Sequence, residues 1–120
     1  MKNGYAVYQE TAVTTQSKGK LVVMLYDGAI KFLKQAIIAI ENEDFQTKNN
    51  LIIKAQDIIL ELNAVLDMEA GGEIAENLRK LYVYVGRRLA EANVKNDISV
   101  INEVIKLLDE LNQAWRAIAE

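Results

Sequence analysis

LVVMLYDGAIKFL, running from Leu21 to Leu33, decides how this chain is read. Laid on a helix at about 100° per residue, its apolar side chains and those continuing to Ile40 sweep roughly 200° of arc, whereas a core-facing stripe needs only about 100°. The spacing divides the stretch into a core-facing part, Val22, Leu25, Ala29 and Phe32, and a flank of Val23, Tyr26, Ile30 and Leu33. That flank is free to meet helix neighbours, an N-terminal arm or another chain. Tyr26 and Asp27 stand at the margin of the apolar arc, where a tyrosine buries its ring and wets its hydroxyl.

Outward from this helix the chain reads as an all-α protein, an antiparallel up-down-up-down four-helix bundle preceded by a flexible N-terminal arm. Residues 1–16 are polar and aperiodic, with room for one short helical turn near Tyr8–Val13. The bundle is expected over 17–120, with helices near 17–41, 44–68, 73–93 and 97–119. Ser17, Asp44 and Asp97 are the expected N-caps, since a short polar side chain accepts from the free N–H groups of a first turn. Gly71 and Gly72 are expected to end the second helix and reverse the chain, because paired glycines tolerate left-handed backbone. The apolar stripes expected to face inward are Leu51, Ala55, Ile58, Leu62 and Val65, then Ile74, Leu78, Leu81, Val85, Leu89 and Ala92. On the last helix Ile101, Val104, Leu108, Leu111, Trp115 and Ile118 alternate steps of three and four, the pattern of a bundle seam. The short turns between helices make sequence neighbours antiparallel.

Composition narrows the chemistry. The 120 residues fit one domain, and they contain no Pro, no Cys and no His. Without His or Cys the chain lacks the usual proton shuttles, soft metal ligands and thiol nucleophiles, so catalysis is not expected. A di-iron bundle needs Glu-x-x-His motifs that are missing, and Gly71-Gly72 lacks the Lys and Ser/Thr of a phosphate loop; no metal, cofactor or catalytic residue is expected. The net charge of −3 favours neither nucleic acid nor an anionic membrane. Arg79, Lys80, Arg87, Arg88 and Lys95 form a basic cluster on the third helix, which is read as a solvated face. Neither a signal peptide nor a membrane span is expected, because Asp27, Lys31 and Lys34 break the apolar stretches, and the setting expected is the cytoplasm.

A second strip on the third helix, Ala75, Tyr82, Gly86 and Ala90, lies beside its core stripe. Glycine inside a helix costs about 1 kcal/mol relative to Ala, so Gly86 needs a reason. Close packing against a bundle neighbour is one, and a groove for a partner helix is the other.

Tyr8-Gln9, LYDGAIKFL over Leu25–Leu33, KAQDII over Lys54–Ile59, GGEIAENL over Gly71–Leu78 and LNQAWR over Leu111–Arg116 together resemble the FliS family of flagellar secretion chaperones, in order and spacing across nearly the whole chain. SKGKL at Ser17–Leu21 departs from the family's Ser-Pro-Glu-like cap. The resemblance implies a non-enzymatic cytosolic chaperone that holds the disordered C-terminal segment of flagellin, prevents premature polymerisation and assists type III export. It also implies secondary partners, a type III export-gate protein and a flagellar anti-sigma factor, and places Tyr8 and Gln9, with Tyr5 as an extension, near one end of the client path. Client-binding candidates are thus Tyr5, Tyr8, Gln9, Val23, Tyr26, Asp27, Ile30, Leu33, Ala75, Tyr82, Gly86 and Ala90. The competing expectation is a self-associating bundle that dimerises through the first helix, and a monomer or weak homodimer fits either reading.

Overall fold

A computed structural model describes residues 15–119, and the arm candidates Tyr5, Tyr8 and Gln9 lie outside them. Four helices follow one another: α1 (Thr15–Glu41), α2 (Phe45–Ala64), α3 (Met68–Lys95) and α4 (Ile98–Ala119). Each packs beside its neighbours in sequence, and α4 closes the ring against α1. Antiparallel register is visible in the side chains that bridge α2 and α3. Lys48 reaches Asn93, Gln56 reaches Gly86 and Asn63 meets Arg79, so ascending positions on one helix meet descending positions on the other. This is the expected bundle.

Local chemistry explains the turns. The Asp44 carboxylate accepts from the Thr47 N–H at 3.2 Å, and Glu43, at φ 56°, supplies the left-handed residue that ends α1. Asn96 does the same for α3 at φ 52°, an angle that Asn tolerates better than most residues. Asp97 then accepts from the Ser99 hydroxyl at 2.7 Å and from the Ser99 and Val100 N–H groups. These bonds, that from the Ser99 side chain foremost, hold its carboxyl below the usual range.

The first and third starts differ from expectation. Helix α1 already runs from Thr15, so Ser17 lies within it and is no cap. The second reversal falls at Val65–Asp67, before the glycines, because Asp67 accepts from the Ala70 N–H at 2.9 Å and starts a helical turn there. Gly72, at φ 53° and ψ −125°, breaks that turn from the regular body of α3, which runs from Glu73 as the spacing had indicated. Only glycine takes this conformation without strain.

The core is built from Tyr26, Ala29 and Leu33 of α1, Ile52, Ala55 and Leu62 of α2, Val85, Leu89 and Ala92 of α3, and Ile101, Val104 and Leu108 of α4. The division of α1 needs correction. Tyr26, Ile30 and Leu33, expected on the flank, are buried, whereas Leu25 and Phe32 are only half-buried. Helix α1 packs against α2 with one edge and α4 with the other, so its broad arc is consumed inside the bundle. On its outer side Met24 and Ile38 stay exposed, with the exposed Lys31 between them.

Stripe rotation also shifts elsewhere. On α2 the buried positions are Lys48, Ile52, Ala55, Ile59 and Leu62, while Leu51, Ile58 and Val65 form a half-buried edge. On α3 Ala75 and Tyr82 are buried and Ile74 is exposed. On α4 Asn112 is buried, Leu111 and Trp115 are half-buried and Ile118 is exposed. A helix with two neighbours buries two flanks, and an alternation of threes and fours does not say which flank is deeper.

Candidate functional site

The four helices close differently at their two ends. At the end carrying the α1–α2 and α3–α4 turns, Lys48 is 6% exposed and donates from Nζ to the backbone and side-chain oxygens of Asn93, both at 2.7 Å. Burial pushes its pKa below the usual lysine value. Asn93 donates in turn to Asn49 at 2.8 Å. The acceptors lie in the last turn of α3, where the negative end of the helix dipole favours a cation.

At the opposite end, where α1 begins and α4 finishes, the helices enclose a cavity of about 390 Å³. Its wall is mostly apolar, with Lys18 and Asp67 as its charged members: Val22 of α1, Leu62 of α2, Val65 and Leu66 of the connecting turn, Ile74, Leu78 and Tyr82 of α3, and Trp115 and Ile118 of α4. Ala70 and Gly71, from the turn ahead of the Gly72 break, form one lip. A Cβ on Gly71 would stand 2.7 Å from that of Ala75, so the lip approaches the helix body because this residue has no side chain. Ile118 is 74% exposed and Ile74 72% exposed, so the mouth carries large apolar side chains in water.

A tyrosine pair joins the diagonal helices beside the cavity. The Tyr26 and Tyr82 hydroxyls are 2.5 Å apart and their ring centroids 6.5 Å apart, tilted by 51°. Burial pushes the pKa of both hydroxyls up, although hydrogen bonds from Tyr82 and Trp115 oppose the rise at Tyr26. Two buried hydroxyls thus satisfy each other in an apolar setting. Near the same end Arg116 Nη2 meets both oxygens of Asp27, at 2.6 and 2.7 Å, and Asn112 donates to Asp27 at 2.8 Å. The ion pair is about half exposed and of the kind that contributes about 0–1 kcal/mol. Its effect is positional, because it ties to α1 the turn of α4 that carries Trp115.

The candidate residues therefore separate. Tyr82 and Ala75 line the cavity, Tyr26 lies behind Tyr82, and Asp27 anchors Arg116. Ile30 and Leu33 belong to the core, and Val23 is half-buried. Gly86 and Ala90 belong to the side facing α2, where the Gly86 carbonyl accepts from Gln56 at 3.2 Å. Close packing does not explain Gly86: no atom lies within 4 Å of where its Cβ would stand. The spacing alone missed Val65, Leu66, Ile74, Trp115 and Ile118 as lining residues. One signal was present, since the α4 seam continues to Ile118 beyond what a shorter α2 can cover. Among the described residues, no three His, Cys, Asp or Glu side chains gather where they could hold a metal ion. Nor is any described helix long and apolar enough to cross a membrane.

The whole chain, residues 1–120, matches the family described as Flagellar protein FliS. It is 40% identical over 116 residues to the flagellar secretion chaperone FliS of Bacillus subtilis, covering 97% of this chain and 86% of that one. It is 44% identical over 111 residues to the Salmonella typhimurium protein of the same name, covering 92% and 82%. The Escherichia coli protein is 38% identical over 108 residues, covering 89% and 79%. With the family matched from end to end and a helical bundle on the page, this chain belongs to the FliS family.

Proposed function

We propose that this chain is a cytosolic, non-enzymatic flagellar export chaperone that holds the disordered C-terminal segment of flagellin until type III export. The observation that carries the reading is the apolar cavity of about 390 Å³, with Ile74 and Ile118 exposed at its mouth. A monomer rarely leaves such side chains together in water without a partner, and an amphipathic segment of the client can bury them. Ordering a disordered client costs about 2–5 kcal/mol or more, so the complex needs an extended apolar contact, of which the cavity is one station. Family membership and the names of the relatives support the assignment.

Tyr5, Tyr8 and Gln9 belong to the same proposal, as an arm that competes for the apolar surface when the client is absent. Lys18 and Gly19, in the first turns of α1, line the cavity. The export-gate protein and anti-sigma factor are secondary partners within this reading. Calorimetry with the C-terminal segment of the organism's own flagellin tests it. One segment should bind per chain with a negative heat-capacity change, and Ile74→Asp with Trp115→Ala should weaken binding by about 10-fold or more. A wild-type chain that does not bind, or variants that bind equally well, would overturn the assignment. Removing residues 1–14 should tighten binding, and an unchanged or weaker affinity would sink the competing arm.

A further inference from the structure

The last turns of α4 carry two residues of the cavity wall, Trp115 and Ile118, with little core beneath them. The buried apolar side chains of α4 are Val100, Ile101, Val104 and Leu108, and among the described residues none follows Leu108. Past that point the helix is seated by the half-buried Leu111 and Trp115 and by the buried Asn112. One edge of these turns faces the cavity, and the neighbouring edge faces Asp27 of α1. The Asp27 carboxylate accepts from Arg116 Nη2 on both oxygens, at 2.6 and 2.7 Å, and from the Asn112 amide at 2.8 Å. Asn112 Oδ1 is buried and meets no donor among the described residues, so Asp27 alone holds this amide. Gln113, by contrast, bonds only within α4, to Asp109.

Residues 112 and 116 stand one turn apart, so a single carboxylate grips α4 at two heights about 6 Å apart. Two grips on one edge fix the rotation of the helix about its own axis as well as its distance from α1. That rotation aims the wall. At about 100° per residue, Arg116 stands about 40° to one side of Asn112, while Trp115 and Ile118 stand about 60° and 120° to the other. We propose that Asp27 is a positioning residue for client capture. Through Asn112 and Arg116 it holds Trp115 and Ile118 in the rotation that receives the apolar side of the client, and it does not touch the client itself. With the flagellin segment as occupant, as proposed above, the gain is pre-organisation, since a wall already in place need not be ordered on binding. An ion pair this exposed adds little to folding stability, so its loss is felt in the wall and not in the unfolding midpoint.

Trp115 is the one tryptophan of the chain, so its emission reports the wall directly. In the free full-length chain, Arg116→Met and Asp27→Ala should each shift that emission to longer wavelength and raise its quenching by acrylamide. Circular dichroism should show the helices intact, and the unfolding midpoint of Arg116→Met should barely move. Each variant should bind the C-terminal flagellin segment about 5-fold more weakly. The exchange Asp27→Arg/Arg116→Asp should bring emission and affinity back to within about 2-fold of wild type, because the Asn112 amide can turn its oxygen toward the arginine. Unchanged emission in the single variants, or shifted emission with unchanged affinity, would overturn the proposal. So would an exchange that restores emission and not affinity, which would set Asp27 against the client itself. A wild-type chain that does not bind the segment overturns the flagellin reading and the client role of Asp27 together, while the emission of the variants still decides whether Asp27 sets the wall.

Discussion

The two ends of this bundle are built from the same four helices but close in opposite ways. At the turn-bearing end, chain reversals supply caps, left-handed residues and a lysine whose charge is absorbed by the carbonyl end of α3. At the other end, only the short Val65–Asp67 connection bridges helices, and the space between the four helices stays open as an apolar cavity. Tight reversals tie helix ends together with polar bonds. Two helix ends that are not joined to each other leave a gap that side chains must fill, and here they fill it incompletely. Recognition in this reading lives at the unjoined end, and rigidity at the joined one.

Equivalent truncations at the two ends should break or sharpen that contrast. Ile101→Ala, fully buried in α4 near its turn with α3, should cost about 3–5 kcal/mol in chemical denaturation, the upper part of the range for large-to-small core changes. Leu62→Ala should cost about 2–3 kcal/mol, because Leu62 already borders the cavity and loses less packing. Equal losses would mean that the cavity end is packed as tightly as the other. Lys48→Met tests the polar closure directly; losing its bonds to Asn93 should cost about 1–3 kcal/mol, and an unchanged midpoint would remove the lysine from the account.

Two glycines of α3 should move stability in opposite directions. Gly72→Ala forces a side chain onto φ 53° and should destabilise by about 1–2 kcal/mol. Gly86→Ala meets open space in regular helix and should stabilise by about 0.5–1 kcal/mol. The smallest effect concerns the tyrosine pair. Its hydroxyls ionise less readily folded than unfolded, so the folded chain holds more protons above about pH 10 and stability should fall as pH rises beyond it. Tyr26→Phe/Tyr82→Phe should flatten that part of the profile, and an unchanged slope would assign it to other groups.

Much of the scaffold was legible because it rests on local chemistry. Asp44 and Asp97 cap the helices they were expected to cap, and Val104 and Leu108 sit where the seam puts them. Lys48 was not legible, since a charged side chain reads as solvent-facing until a neighbouring helix end offers it carbonyls. Tyr82 was read on a strip beside the core stripe and is itself buried, because its hydroxyl finds a partner 56 positions earlier in the chain. The cavity was only hinted at, by the α4 seam running on to Ile118. Its lining comes from all four helices and the turn after α2, and no single stretch carries it.

By itself the sequence determined four helices, their order, two of their caps and the family to which the chain belongs. The tertiary structure decided how each helix is rotated, that the breadth of α1 serves two neighbours, and that the open apolar surface lies at the unjoined end. Periodicity is a property of one helix and sets only the width of its apolar stripe. Rotation and gaps depend on the volumes of side chains arriving from other helices, and those meet only when the bundle has formed.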